Sequence, residues 1–175
     1  GGAAPRVGAP AERRRDPGRG PGARDRKQLH ARPHYRANLA RRNAALRNAA
    51  RRGSSDGEAG VSVWEPARAQ HGSVLIELRA KWVRNSEAEF AQLLERIGET
   101  GDSRMSYVSP FAESEARHDV LLAAFEDKRA LDMKRGLTHV GPHRDDLELT
   151  LDGRDRRLFG SAGQQRSAAI ALRML

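Results

Sequence analysis

The chain has 175 residues, of which 31% are charged and only 5% aromatic, with a formal net charge of +9 and no cysteine. This length suits one or two domains with a modest core. The lack of cysteine excludes disulfides and thiolate metal sites, and no apolar run reaches the length of a membrane span or a signal-peptide core, so a soluble cytoplasmic protein with no membrane partner is expected. The charge is unevenly placed. Residues 1–60 carry fifteen Lys/Arg against five Asp/Glu, and residues 61–175 carry seventeen against eighteen. A basic excess confined to the N-terminal third is the footprint of a surface that binds a phosphate backbone, although an Arg-rich composition with a solvated tail produces the same count.

Residues 1–22 contain six Gly and four Pro. Such a segment buries too little apolar surface to offset its ordering entropy, and disorder is expected over residues 1–32. From Pro33, which suits a first helical turn, the pattern turns helical, with Tyr35, Leu39 and Leu46 on one stripe and Gly53–Gly57 ending it. A longer helix is expected from Pro66 to Ile97. There Ile76, Val83, Phe90 and Ile97 recur at heptad spacing, Ala80 and Leu94 fill the second core position, and Leu75, Leu78, Trp82 and Leu93 widen the stripe. Gly72 is a possible break near its start. The two helices read as an antiparallel hairpin, with Trp82 as a core residue rather than a base-stacking platform.

Gly98–Gly101 is a turn, and Met105 and Tyr107 alternate through a short strand stopped by Pro110. Residues 112–135 read as a third helix on Val120, Leu121, Ala124, Phe125 and Leu131, ended by Gly136. Leu137–Val140 reads as a strand entering Gly141-Pro142. Leu147, Leu149 and Leu151 then alternate as a half-buried strand. Asp152-Gly153 favours a hairpin turn, and Leu158-Phe159 is expected in the returning strand. After Gly160-Ser161-Ala162-Gly163, a helix is expected with Ala169, Ile170, Leu172 and Leu175 on one face.

Two constellations carry chemistry. At the start of the last helix, unpaired N–H groups, the Ser161 hydroxyl, the bare Gly163 backbone and the amides of Gln164 and Gln165 can hold an anion such as a phosphate. On spacing alone, Ser161 reads first as an ordinary N-cap and Gly163 as a turn residue. Separately, His139, His143, Asp145 and Asp146 lie within eight residues and make a metal-dependent hydrolase an alternative. Against it, Gly141-Pro142 interrupts the strand and Arg144 can neutralise a neighbouring carboxylate. A third alternative is non-enzymatic: a basic helical module that binds DNA or a partner helix.

The blocks Gly141-Pro142-His143-Arg144-Asp145-Asp146-Leu147, Leu151-Asp152-Gly153-Arg154 and Ser161-Ala162-Gly163-Gln164-Gln165-Arg166 resemble, in order and spacing, the C-terminal part of the RecF family. These are bacterial DNA replication and repair proteins, ATPases of the ABC/SMC type. Tyr35-Arg36, Leu39, Arg42-Asn43-Ala44 and Leu46-Arg47 resemble the run that opens that family's helical arm. The resemblance implies an α/β fold: an ABC/SMC-like ATPase head, represented here by its signature-bearing lobe (136–175), with an inserted helical arm (33–135). It implies that Ser161, Gly163 and Gln164 belong to the ABC signature, which contacts the γ-phosphate of ATP held by the other subunit of a homodimer. His143, Arg144, Asp145, Gln165 and Arg166 are motif positions to which it gives no role. Arg36, Arg41, Arg42 and Arg47 are candidate DNA contacts.

The resemblance further implies DNA, single- and double-stranded, as a partner, RecO- and RecR-type mediators, ATP and Mg²⁺ as cofactors, and roles in gap repair and the SOS response. No G-x-x-x-x-G-K-[ST] occurs, since none of Lys27, Lys81, Lys128 and Lys134 follows a Gly. The family's P-loop lies upstream of the arm and its Mg²⁺-binding Asp downstream of the signature helix. The chain is therefore expected to be an internal piece without catalytic residues of its own and inactive alone.

Overall fold

The computed structural model describes residues 23–52 and 56–175. The disorder expected before residue 23 falls outside them. Two long helices dominate: α1 (Ala23–Arg52) and α3 (Glu65–Arg96), joined through the short α2 (Asp56–Ser62). The helix expected to start at Pro33 begins ten residues earlier. Pro33 lies inside α1, so residues 23–32 are helical and not disordered. The helices run antiparallel, because Arg42 meets Glu65 near one end while Ala31 and Tyr35 pack on Leu75 nearer the other. The buried stripe of α1 is Ala31, Tyr35, Asn38, Arg42, Leu46 and Ala49, recurring every three or four residues as a helical face must. Two of its members are polar, and the apolar reading of the sequence missed both.

Along α3 the heptad is buried at Ile76, Val83 and Phe90, with Ala80 and Leu94 between them. Gly72 does not break the helix, because it lies where the Leu121 and Tyr35 side chains press against the backbone. Ile97 caps the helix and is largely exposed, and Trp82, expected in the core, is exposed as well.

Strand β1 (Ser103–Val108) follows, then α4 (Arg117–Arg135), then a loop in place of the strand expected over 137–140. On α4, Leu121 and Phe125 are buried, whereas Val120 and Leu131 face solvent. Strand β2 (Asp146–Leu151) pairs antiparallel with β1, so that Met105 faces Leu149 and Tyr107 faces Leu147. One side of this ribbon packs on Val83, Phe90, Leu93 and Leu94 of α3 and on Ala168 and Ala171 from the end of the chain. The expected division between residues 135 and 136 therefore cuts across a sheet, since β1 and β2 lie on opposite sides of it. Asp152 (φ 50°) and Gly153 (φ 74°) make the tight turn. Both central residues are left-handed, as a two-residue hairpin of the mirrored type requires.

The returning strand β3 is only Arg154–Asp155. Asp155 ends it by accepting the amides of Arg157 and Leu158, which starts the one-turn α5 (Arg156–Phe159). Leu158 and Phe159, expected in the strand, are thereby turned outward, 74% and 69% exposed. The last helix, α6 (Ala162–Met174), buries Ala168 and Ala171, so its inner face is rotated from the expected one and Ile170 is exposed.

Candidate functional site

Three pieces of the molecule carry the candidate residues: the turn into α6, the loop 138–146, and the outer face of α1.

At the turn, Ser161 is the N-cap of α6. Its Oγ accepts the Gln164 amide at 3.2 Å, and Gln164 Oε1 accepts the Ser161 amide at 2.9 Å, a reciprocal capping box. The Ser161 hydroxyl proton and the amides of Ala162 and Gly163 are not consumed by that arrangement. A Cβ on Gly163 would meet only Ser161 Oγ, at 3.8 Å. Neither a strained backbone angle nor a neighbouring side chain demands a glycine there. Ser161, Ala162, Gly163, Gln165 and Arg166 are all exposed. Gln165 has a job inside the protein: its amide donates to Gly160 O at 3.1 Å and Arg156 O at 3.3 Å, tying α6 to α5.

Beneath them lies Arg156, which the sequence did not single out. It is buried and donates to Glu99 at 2.7 Å and to Ser103 Oγ at 2.7 Å. Arg157 makes a two-pronged pair with Asp146, at 2.9 and 3.2 Å. Being exposed, the pair adds little stability, but it joins the end of the loop to α5, just before the turn into α6.

The loop is seated on the arm. Thr138 Oγ1 donates to Asn43 at 2.7 Å and accepts from Arg42 at 2.8 Å. Arg42, wholly buried, also donates to Asp132 at 2.7 Å and Glu65 at 2.9 Å. Asp132 in turn accepts from the His139 backbone amide at 3.1 Å and lies 2.6 Å from His139 Nδ1. A relay runs next to this network. Arg68 Nη2 donates to Tyr35 Oη at 3.0 Å and to Val140 O at 3.0 Å; Tyr35 Oη donates to His143 Nδ1 at 2.9 Å; and His143 Nε2 donates to Thr138 O at 3.1 Å. That pattern needs a neutral His143. Burial, with the charges of Arg68 and Arg144 nearby, pushes its pKa down to about 4.

Burial raises the Tyr35 hydroxyl pKa and lowers that of the Arg68 guanidinium, which lies 4.5 Å over the Phe125 ring and 5.3 Å over the Tyr35 ring. Gly141 sits at φ +116°, and a Cβ there would lie 2.6 Å from Tyr35 Oη; only glycine fits under the relay. Tyr107 donates to Asp145, whose carboxyl is raised by desolvation.

The four suggested metal ligands therefore diverge. His139 goes to Asp132, His143 to Tyr35, Asp145 to Tyr107 and Asp146 to Arg157. Among the described residues no group of three His, Cys, Asp or Glu is arranged to hold a metal, and the hydrolase alternative has no site at these four residues. On α1, Arg36, Arg41 and Arg47 are exposed, with Arg41 lying 5.3 Å over the Trp64 ring. Arg42 is a correction: it is sealed between two carboxylates and a threonine and cannot reach DNA.

Two long helices seated on a three-stranded antiparallel sheet, with a strand hairpin that opens through a serine-capped turn into a helix, make an α/β arrangement. The same fold appears in a solved structure of the recombination mediator protein RecF with ATP, in the RecFOR pathway, with a TM-score of 0.75 and 23% identity over 85% of this chain and 40% of that one. A second RecF structure gives a TM-score of 0.74. The DNA replication and repair protein RecF of Herpetosiphon aurantiacus is 34% identical over 171 residues, 96% of this chain and 43% of the relative. That of Acidothermus cellulolyticus is 35% identical over 82% of this chain and 41% of the relative. No family model matches. The chain belongs to the family of the DNA replication and repair protein RecF. It spans about two fifths of the length of these relatives. No helix among the described residues is long and apolar enough to cross a membrane.

Proposed function

We propose that this chain supplies the trans-acting half of an ATP-gated clamp on DNA. Ser161, Gly163 and Gln164 meet the γ-phosphate of ATP held by a second subunit. ATP and Mg²⁺ are gripped mainly by parts of the polypeptide outside this sequence, and a homodimer closes around the nucleotide. The arm, with Arg36, Arg41 and Arg47 on its outer face, contacts single- or double-stranded DNA at gaps. The cytoplasmic setting is recombinational repair and the SOS response, with RecO- and RecR-type partners. Alone, the chain turns over no ATP.

The observation that carries this reading is the turn into α6: a serine whose proton is unspent, beside a glycine that nothing inside the chain requires, at an exposed helix N-terminus. A hydrogen bond to a charged group contributes about 1.5–3 kcal/mol, and about 1.4 kcal/mol is tenfold in affinity. Ser161→Arg in a full-length protein carrying its own P-loop should leave ATP binding by the monomer nearly unchanged. ATP-dependent dimerisation, followed by sedimentation, should fall at least about tenfold, along with hydrolysis. Loss of monomer ATP binding with normal dimerisation at saturating ATP would mean that Ser161 serves its own subunit, and the reading would be wrong.

A further inference from the structure

On α1, Arg36, Ala40, Asn43 and Arg47 recur every three or four residues and form one stripe beside the buried face. The loop between α4 and β2 runs back along this stripe. Gly136, which ends α4, lies against Arg47, since a Cβ there would stand 3.3 Å from Arg47 Cγ. Thr138 is bonded to Asn43, and His143 to Tyr35, the neighbour of Arg36. Two more arginines border the same seam from the loop side. Arg135, the last residue of α4, comes within 3.4 Å of His139 Nε2, and Arg144 donates to Thr138 O at 3.4 Å. Arg36, Arg47, Arg135 and Arg144 are all exposed. Among the described residues none of the four pairs with a carboxylate, whereas Arg42, Arg129, Arg156 and Arg157 all do. The acids near the seam are committed elsewhere: Asp132 to Arg42 and His139, Asp145 to Tyr107, and Asp146 to Arg157.

We propose that this seam is a track for the backbone of duplex DNA, on which Arg135 and Arg144 carry the phosphate-binding surface from α1 onto the loop. The track rests on the contact between arm and DNA proposed above. It adds the path that the duplex takes, a role for Arg144 in the Gly141–Leu147 block, and a role for the end of α4.

The dimensions fit. Arg36 and Arg47 are separated by a helical rise of about 16 Å, at about 1.5 Å per residue. One DNA strand carries a phosphate about every 3.4 Å along the axis, so the seam runs beside about five phosphates, with guanidiniums from the helix on one side and from the loop on the other. A guanidinium with no carboxylate to satisfy presents its planar fork of donors to a phosphate. The chemistry selects the backbone and not the bases. Single strands are gripped by stacking their bases on aromatic rings, and the exposed tryptophan and phenylalanine among the described residues, Trp82 and Phe159, lie on α3 and α5, away from the seam. Contacts confined to phosphates position a duplex without reading its sequence.

The test is fluorescence anisotropy of a labelled blunt duplex titrated with the whole chain over a range of salt concentrations. Arg135→Gln and Arg144→Gln should each reduce the slope of log K against log salt by about 0.9, the loss of one phosphate contact. Arg96→Gln, which removes the same charge at the far end of α3, should leave the slope unchanged, and circular dichroism checks that each variant keeps its helices. If Arg36→Gln and Arg47→Gln lower the slope while Arg135→Gln and Arg144→Gln do not, the track is overturned and the contact between arm and DNA stands. A slope moved by none of the four overturns both. Polyglutamate that competes with the duplex charge for charge would make the occupant an acidic protein and overturn the assignment to DNA. Tighter binding of a single strand of the same length would overturn the assignment to a duplex.

Discussion

The seam between the arm and the loop 138–146 and the turn into α6 use polar residues in opposite ways. At the seam, Arg42 is wholly buried, and two carboxylates and a threonine answer its guanidinium. At the turn, the side chains of Ser161 and Gln164 answer each other's backbone amides, with Ser161 exposed and Gln164 half-buried. Burying a charge is tolerated when carboxylates and acceptors are arranged around it, as they are around both Nη atoms of Arg42, with its Nε left unpaired. An exposed helix start keeps its dipole and spare donors for a ligand. A polar residue here is structural where neighbours consume its donors and available where they do not, and its type alone does not distinguish the two.

The largest expected effect comes from breaking the seam. Arg42→Ala leaves Asp132 buried with only His139 beside it, while Glu65 keeps Arg129 at 2.6 Å, and removing one partner of a buried pair costs about 3–5 kcal/mol. Urea unfolding measures it, and a cost below about 1 kcal/mol would mean that water already reaches the network. The comparison is sharpened by the exposed arginines on the same helix. Arg36→Glu, Arg41→Glu and Arg47→Glu should leave stability nearly unchanged. Each phosphate contact they lose should reduce the slope of log K against log salt for duplex DNA by about 0.9. A slope indifferent to all three changes would show that the basic face of α1 does not touch DNA.

A smaller effect separates the relay from the turn by pH. The folded-state pKa of His143, about 4, lies below the ordinary value of about 6.5 for an unfolded chain. Between those values the unfolded state binds more protons, so stability is complete above about pH 6.5 and falls as pH drops towards 4. Melting temperature followed from pH 7 to 4.5 should decline less steeply in His143→Gln than in the unaltered chain. Parallel profiles would mean that burial beside Arg68 and Arg144 does not hold the ring neutral.

Much of the frame could be read from the sequence because it rests on local signals. The heptad of α3, the alternation in β2 and Asp152-Gly153 each specify an element through nearest neighbours, and Ser161 with Gln164 spells a capping box. What stayed hidden depends on residues far apart in the chain. Arg42 looked like a DNA contact because nothing near it announces Glu65 or Asp132. Leu158 and Phe159 looked like strand residues because the cap made by Asp155 outcompetes their β-propensity. Trp82 looked like core because a helix stripe widened by one residue still satisfies the pattern. The loop 138–146 could be recognised as a block, but its seat on Tyr35, Arg42, Asn43 and Arg68 required the fold.

The smallest expected change in stability is also the sharpest test of the contrast between the two regions. Gly163 lies in the first turn of α6, and a Cβ there finds open space. Alanine is favoured over glycine in a helix by up to about 1 kcal/mol, and less in a first turn, where the backbone is only partly constrained. Gly163→Ala should therefore be neutral or slightly stabilising in urea unfolding. In the full-length protein the same methyl group stands where the proposed phosphate approaches the bare backbone, so ATP-dependent dimerisation should weaken while monomer ATP binding is preserved. A stability gain with a functional loss is what a residue kept for an external ligand produces. If Gly163→Ala dimerises normally, the glycine is an accident of the turn, and the case for a phosphate at this helix rests on Ser161 alone.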